Sequence, residues 1–143
     1  MIEVENKMNS DDARRLVRHC MEDGFNEKNM AVIDEVFHVD YVRHAHPGQK
    51  SVSSLAEHKA DLLARHKSFE NARFTIQDIV ADGDMVAVRF LFSGTHAGEF
   101  MGVPATGRKV ERATAAFFRV RDGKIAEGYI VSDAYGLLKQ LTD

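Results

Sequence analysis

In the second half of the chain every other residue tends to be apolar, and Asp-Gly pairs interrupt this alternation. The run 85–93 places four large apolar side chains on one face, namely Val86, Val88, Phe90 and Phe92. Asp-Gly pairs at 82–83 and 122–123 favour tight hairpin turns between such runs. The pattern predicts an antiparallel sheet of four strands, one containing Phe74 and Ile76 and the others at 85–93, 109–121 and 124–132.

The first half of the chain carries the other period, with apolar residues three or four positions apart. This spacing predicts one helix from Ser10, as its N-cap, to about Gly24, a second over Met30 to Phe37, and a third over Ser51 to His66. The segment 40–50 is predicted to be a loop. Helices that precede an antiparallel sheet indicate the α+β class, in one domain spanning residues 1–143.

Both faces of the predicted sheet carry apolar residues. Met85, Leu91 and Phe117 fall opposite the face that carries Phe90 and Phe92. An antiparallel sheet with one solvated face alternates more strictly than this. We therefore expect a second subunit to cover the other face, in a two-fold homodimer formed through the sheet.

Composition excludes several classes of partner. The formal net charge of −3 gives no electrostatic reason to expect nucleic acid as a partner. No apolar run approaches the length that spans a bilayer, so no membrane association is expected. Cys20 is the single cysteine and the N-terminal residues lack an apolar signal segment, which together favour a cytoplasmic protein.

Four stretches, taken in order, carry a family resemblance: DYVRH (40–44), DGDMVAVRF (82–90), GTHAGEFMGVPATGRKV (94–110) and RVRDGKIAEGYIVSDAYGLLKQL (119–141). The chain resembles the SnoaL-like polyketide cyclases of the NTF2-like superfamily. The resemblance implies a cone, in which a curved antiparallel sheet and N-terminal helices enclose an apolar cavity. It also implies intramolecular aldol ring closure without a metal or organic cofactor, with Asp133 as the general acid/base.

Two interpretations of Asp133 stay open on the sequence. The residues that follow it have helical spacing, and Asp is favoured as a helix N-cap. Strand alternation, however, places Asp133 on one face with Ile125, Tyr129 and Val131, and the resemblance makes that face the cavity wall. Burial raises the pKa of a carboxylic acid, which suits a group that must take and return a proton.

The remaining predicted pocket residues have three roles: Tyr41 and His44 orient the substrate at the cavity mouth, Arg112 and Thr114 stabilise an enolate oxygen, and the wall consists of Phe90, Phe92, Phe118 and Tyr129. Each has a plainer alternative: loop residues, a surface arginine paired with a glutamate, or ordinary core. No metal is expected, since His44 and His46 alone fall short of the three or four ligands of a zinc site.

The sequence therefore favours a cofactor-independent acid/base enzyme that acts on a hydrophobic carbonyl-bearing small molecule. Cyclase-like aldol ring closure, isomerisation and dehydration are the reactions considered. The alternative is a non-catalytic module that binds a small ligand in the same cavity. Its motivation is a missing polar partner: relatives usually carry His-Trp where this chain has Gly128 and Tyr129, and the strand 109–121 contains no histidine.

Overall fold

The computed structural model describes residues 8–47 and 50–143. Its helices are α1 (Ser10–His19), α2 (Met30–Val36), α3 (Leu55–Ser68) and α4 (Ala134–Thr142), and a π-helical turn (Cys20–Phe25) continues α1. Its strands are β1 (Phe37–His44), β2 (Phe69–Asp82), β3 (Met85–His96), β4 (Lys109–Arg121) and β5 (Lys124–Ser132). The predicted α+β class is confirmed.

The strands form one curved sheet in the order β1-β5-β4-β3-β2. The two predicted hairpins are present, and Gly83 and Gly123 adopt φ values of +59° and +74° at their turns. Such values suit glycine, which has no Cβ to clash with the backbone. Strand β1 is a correction: the predicted loop from residue 40 is a strand that pairs in parallel with β5. Its hydrogen-bonding partners lie more than 80 residues away in sequence, so no local hairpin signal announces it.

Side-chain caps fix where two of the helices begin. The predicted N-cap Ser10 is wrong by one residue, because the Oδ1 atom of Asn9 accepts the Asp12 N–H at 2.9 Å. The hydroxyl of Ser10 instead accepts the Gly83 N–H at 2.9 Å, which ties α1 to the β2–β3 turn. At α3 the Ser54 hydroxyl accepts the Glu57 N–H at 3.2 Å, a side-chain cap of the ordinary kind.

A β-bulge in β5 decides which residues face the core. Val120 pairs with Ile125, but the neighbouring Arg119 pairs with Glu127, so Ala126 is an extra residue in β5. Ile125 and Ala126 are consequently both buried. Because side chains alternate with a period of two, one extra residue reverses the alternation for the rest of the strand.

The two faces of the sheet have different surroundings. The concave face packs against the helices and holds the buried aromatic core. The outer face carries exposed apolar side chains, among them Phe117 and Tyr129, which are direct cross-strand partners and are 48% and 41% exposed. Within the described residues, no helix combines the length and the apolarity that a bilayer crossing requires.

Candidate active site

A cavity of about 220 Å³ lies between α3 and the concave face of the sheet. Its apolar wall consists of Phe25, Leu62, Phe74, Phe90, Phe118 and Ile130. Its polar lining consists of Arg43, Lys50, His58, Asp61, Arg65, Arg112, Thr114 and Ser132. A small concave site with an apolar body and a few convergent polar groups is typical of a binding or active site.

Helix α3 supplies one side of the cavity through a single stripe. His58, Asp61, Leu62 and Arg65 all line the cavity, and their spacing of three, four and seven residues puts them on one face of a helix. Arg43 of β1 reaches this stripe and donates to the Asp61 carboxylate at 2.8 Å. This ion pair joins α3 to the first strand.

His58 is a buried histidine without a hydrogen-bond partner. It is 6% exposed, and its ring lies 4.7 Å from the Phe37 ring and 4.9 Å from the Tyr41 ring, between centroids. Neither ring nitrogen has a partner among the described residues. Burial, reinforced by the charge of Arg43 and opposed by Asp61, lowers the pKa of His58 to about 4. The imidazole is therefore neutral at neutral pH, and a ring nitrogen is free to accept a hydrogen bond.

Two guanidinium groups share the ring of Phe92. The Cζ atoms of Arg65 and Arg112 lie 5.6 and 5.5 Å from its centroid, within the range of cation–π attraction. Burial, together with the charges of Arg65 and Arg43, lowers the pKa of Arg112 to about 9, so the group is still charged at neutral pH. The buried Nε of Arg112 has no hydrogen-bond partner, and neither arginine pairs with a carboxylate, within residues 8–47 and 50–143.

Two hydroxyl groups stand on adjacent strands of the cavity floor. Thr114 of β4 and Ser132 of β5 are register partners, and the Thr114 hydroxyl donates to the Ser132 hydroxyl at 3.3 Å. Thr114 is 3% exposed. The pair adds short polar donors to a floor that is otherwise aromatic.

Six of the predicted site residues lie in or next to the cavity. Phe90, Arg112, Thr114 and Phe118 line it. Phe92 is fully buried beneath the two guanidinium groups, and Tyr41 is fully buried behind His58. Phe92 and Tyr41 therefore support lining residues instead of facing the cavity themselves.

Tyr129 and His44 lie elsewhere, which corrects their predicted place in the pocket. Their rings stack at a centroid distance of 4.6 Å, and His44 Nε2 lies 3.0 Å from a carboxylate oxygen of Glu127. Tyr129 is exposed on the outer face. The bulge at Ala126 explains the difference, since it turns Tyr129 away from the face that Ile125 occupies.

Asp133 caps helix α4, the first of the two interpretations that the sequence left open. Its Oδ1 accepts the Gly136 N–H at 2.8 Å, and its own N–H donates to the Ala113 carbonyl at 3.0 Å. The side chain is exposed and does not line the cavity, although the preceding Ser132 does. The alternation that was expected to place Asp133 on the cavity wall is reversed by the bulge, and its catalytic role stays a prediction.

Gly128 leaves room for the Tyr41 hydroxyl. A Cβ atom at position 128 would overlap that hydroxyl and would lie 3.2 Å from the Phe118 ring. The Tyr41 hydroxyl is buried without a hydrogen-bond partner in the described structure. A larger residue at 128 and a tyrosine at 41 therefore exclude each other in this packing.

No sequence motif marks the polar residues that α3 and β1 contribute to the cavity. His58, Asp61 and Arg65 are polar positions within an amphipathic helix, and Arg43 lies in a segment predicted to be a loop. The sequence contains one signal of them. These α3 positions follow the same helical spacing as Leu62, which indicates a core-facing stripe that carries ionisable residues.

Comparisons with known proteins agree with this architecture. The family model of SnoaL-like polyketide cyclases matches residues 15–141. The nogalonic acid methyl ester cyclase of Streptomyces nogalater is 30% identical over 129 residues, which cover 86% of this chain and 92% of that protein. The crystal structure of IdmH from Streptomyces antibioticus has a TM-score of 0.79 at 32% identity, covering 92% of this chain and 99% of that one.

A more distant relative shares the fold alone. A SnoaL-like polyketide cyclase of Agrobacterium tumefaciens superposes with a TM-score of 0.76 at 20% identity, covering 90% of this chain and 97% of that one. The resemblance predicted from the sequence is confirmed, and the fold is NTF2-like. With a family match over residues 15–141 and a relative that is 30% identical along most of both chains, this protein belongs to the SnoaL-like polyketide cyclase family.

Proposed function

We propose that this protein catalyses cofactor-independent acid/base chemistry on a carbonyl-bearing small molecule, with aldol ring closure as the reaction. One observation carries the proposal: a buried neutral imidazole, His58, lines the same small cavity as the charged guanidinium of Arg112. A proton acceptor beside a fixed cation is the arrangement that enolate formation requires. The Streptomyces nogalater relative is a nogalonic acid methyl ester cyclase, which supports the reaction type.

The proposed steps use groups that this chain supplies. His58 removes a proton from the carbon next to a substrate carbonyl. One of the five N–H donors of the Arg112 guanidinium stabilises the negative oxygen of the enolate, which leaves the others for a second contact. The enolate carbon then attacks a second carbonyl of the same molecule, so that one C–C bond forms. The proton returns from the His58 imidazolium to the new alkoxide oxygen, and no atom is gained or lost.

Asp133 remains the rival for the role of general base. It is the residue that the family resemblance assigns, whereas His58 is the residue that lines the cavity. Two substitutions separate them. His58→Gln removes the imidazole but keeps a polar side chain. Asp133→Asn removes the charge but keeps the α4 cap, because Asn and Asp are equally good N-caps.

The test measures proton abstraction directly. β-Tetralone, a neutral ketone, is incubated with the protein in deuterated water, and exchange at its α-carbon is followed by NMR. Cyclisation is assayed with nogalonic acid methyl ester and, separately, with the free acid. The product of each is an isomer of the starting compound with the same mass. We expect exchange above the buffer rate, and a loss of about 100-fold or more in His58→Gln. His19→Gln, an exposed histidine on α1, is the matched control and keeps the wild-type rate.

The outcomes discriminate between the residues. If Asp133→Asn loses the exchange activity and His58→Gln keeps it, the general base is Asp133 and not His58. Wild-type protein that neither exchanges β-tetralone nor converts the ester or the free acid contradicts the catalytic proposal. The ligand-binding alternative then applies, and it has its own support: the carboxylate that the resemblance makes catalytic is occupied as a helix cap.

We also infer that the protein is a homodimer through the outer face of the sheet. Phe117, Tyr129 and Val131 are exposed there by 48%, 41% and 58%, next to one another on β4 and β5. Adjacent exposed apolar side chains on a sheet indicate a protein contact surface. A second copy related by two-fold symmetry places the same patch on both sides of the interface.

A further inference from the structure

We propose that the cavity binds its substrate through a carboxylate, held by Arg112 and Arg65, so that the substrate is a small organic acid with an aromatic or apolar body. This assignment rests on the proposed function, since it names the substrate class of the same site. It goes beyond the relatives, because the Streptomyces nogalater cyclase is named for an ester.

The first support is the charge balance of the lining. Four cationic side chains, Arg43, Lys50, Arg65 and Arg112, line the cavity with the single carboxylate of Asp61. Asp61 is already paired with Arg43 at 2.8 Å. His58 adds no negative charge. The cavity therefore holds an excess of three positive charges, although the chain as a whole has a net charge of −3.

The second support is the state of the two remaining arginines. Arg65 and Arg112 form no ion pair with a carboxylate in the part of the chain that the structure describes, and the Nε of Arg112 is buried without a hydrogen-bond partner. Both arginines are half-buried. A partly desolvated guanidinium group without a counter-ion is destabilising, and two that lie over one ring also repel each other. An anion supplied by the ligand removes both costs.

The third support is geometry. Both guanidinium groups are held against the Phe92 ring, with Cζ atoms at 5.6 and 5.5 Å from its centroid. Contact with a rigid buried ring limits the orientations of these long side chains. A planar guanidinium donates two parallel hydrogen bonds to a carboxylate, which a neutral ester or amide cannot accept in the same way. The phenylalanines of the wall then contact the body of the acid.

Binding, without turnover, tests the assignment. Two matched pairs of probes are titrated by calorimetry into the wild-type protein: benzoate against benzamide, and naphthoate against naphthamide. Each pair shares its ring and its size and differs in charge. We expect at least one carboxylate to bind about tenfold or more tightly than its amide, a difference of about 1.4 kcal/mol. The preference weakens as salt is added, as is expected for a charged contact.

Substitutions then locate the anion. Arg112→Met and Arg65→Met, assayed separately, each reduce the preference for the carboxylate by about tenfold or more. Arg89→Met is the matched control, because Arg89 is exposed and pairs with Asp78 outside the cavity; it keeps the preference. If one arginine variant does not fold, the other still tests the placement. The comparison of carboxylate with amide in the wild-type protein requires no variant.

The outcomes are distinct from those of the catalytic test. If no carboxylate is preferred over its amide in the wild-type protein, the acid-binding site is refuted, whatever the exchange rate of the neutral β-tetralone. A preference that survives both arginine substitutions refutes the placement at Arg112 and Arg65. If the wild-type protein prefers the carboxylate but does not exchange β-tetralone, the acid-binding site is supported and only the catalytic proposal is contradicted.

Discussion

Replacing His58 by Phe should remove a defined part of the dependence of stability on pH. His58 is 6% exposed and packs against the rings of Phe25, Phe37 and Tyr41, so a phenyl ring retains the aromatic contacts. Its pKa is about 4 in the folded protein and 6.5 ordinarily. Between these values the unfolded chain binds a proton that the folded protein does not, so the free energy of unfolding falls as the pH is lowered through this range.

The magnitude follows from the size of the shift. One pKa unit corresponds to about 1.4 kcal/mol. The shift of His58 therefore lowers the free energy of unfolding by about 3 kcal/mol once the pH is below 4. At pH 5 about 2 kcal/mol of this is already lost. The Phe variant cannot take up the proton and does not lose this contribution. Its stability relative to the wild type should therefore rise by about 2 kcal/mol between pH 7.5 and pH 5.

The assay is urea unfolding of both proteins at pH 7.5, 6 and 5, compared as a difference at each pH. Contributions from the carboxylates and from His66, whose pKa is also lowered by burial, occur in both proteins and cancel where sites are independent. A difference that stays constant within about 0.5 kcal/mol over this range would refute the account. An NMR titration that finds His58 half-protonated near pH 6.5 would refute it as well.

Two further predictions concern packing and assembly. Gly128→Ala should lower the free energy of unfolding by about 1–3 kcal/mol, since its Cβ would overlap the Tyr41 hydroxyl. Tyr41→Phe removes that hydroxyl, so the double variant should regain most of the lost stability. If urea unfolding shows that the effects of the two substitutions simply add, the contact is contradicted. Phe117→Asp should halve the mass found by light scattering, because it charges the centre of the proposed dimer face, whereas Leu63→Asp, an exposed change on α3, should not. A wild-type protein that is monomeric at micromolar concentration would exclude the dimer.

The sequence predicted those parts of the fold that depend on local signals. Helical spacing located the three N-terminal helices to within a few residues, and Asp-Gly turns located the hairpins. Strand β1 was missed because its pairing with β5 joins residues 37 and 125, and no nearby turn marks such a contact. A parallel pair of this kind lacks the short hairpin that makes antiparallel strands visible in a sequence.

Part of the site was harder to predict because of a single residue in β5. Alternation from Ile125 leads to Tyr129 and Asp133 on the inner face if β5 is regular. The bulge at Ala126 reverses the alternation, and it arises where β5 and β4 change register, which requires knowledge of both strands at once. By contrast, Arg112 and Thr114 line the cavity, on the face that alternation predicts, because β4 pairs with β3 without interruption from Lys109 to Arg119.

The bulge also bears on how the cavity acquired its polar groups. By turning Tyr129 outward it leaves Gly128 opposite Phe118, and the Tyr41 hydroxyl occupies the space beside that glycine. Tyr41 in turn packs against His58. A side chain at 128 would displace Tyr41 and disturb this contact, so a side chain at position 128 and the present position of His58 are alternatives. The glycine that looked like a missing partner in the sequence is thus part of the packing that holds the imidazole in the cavity.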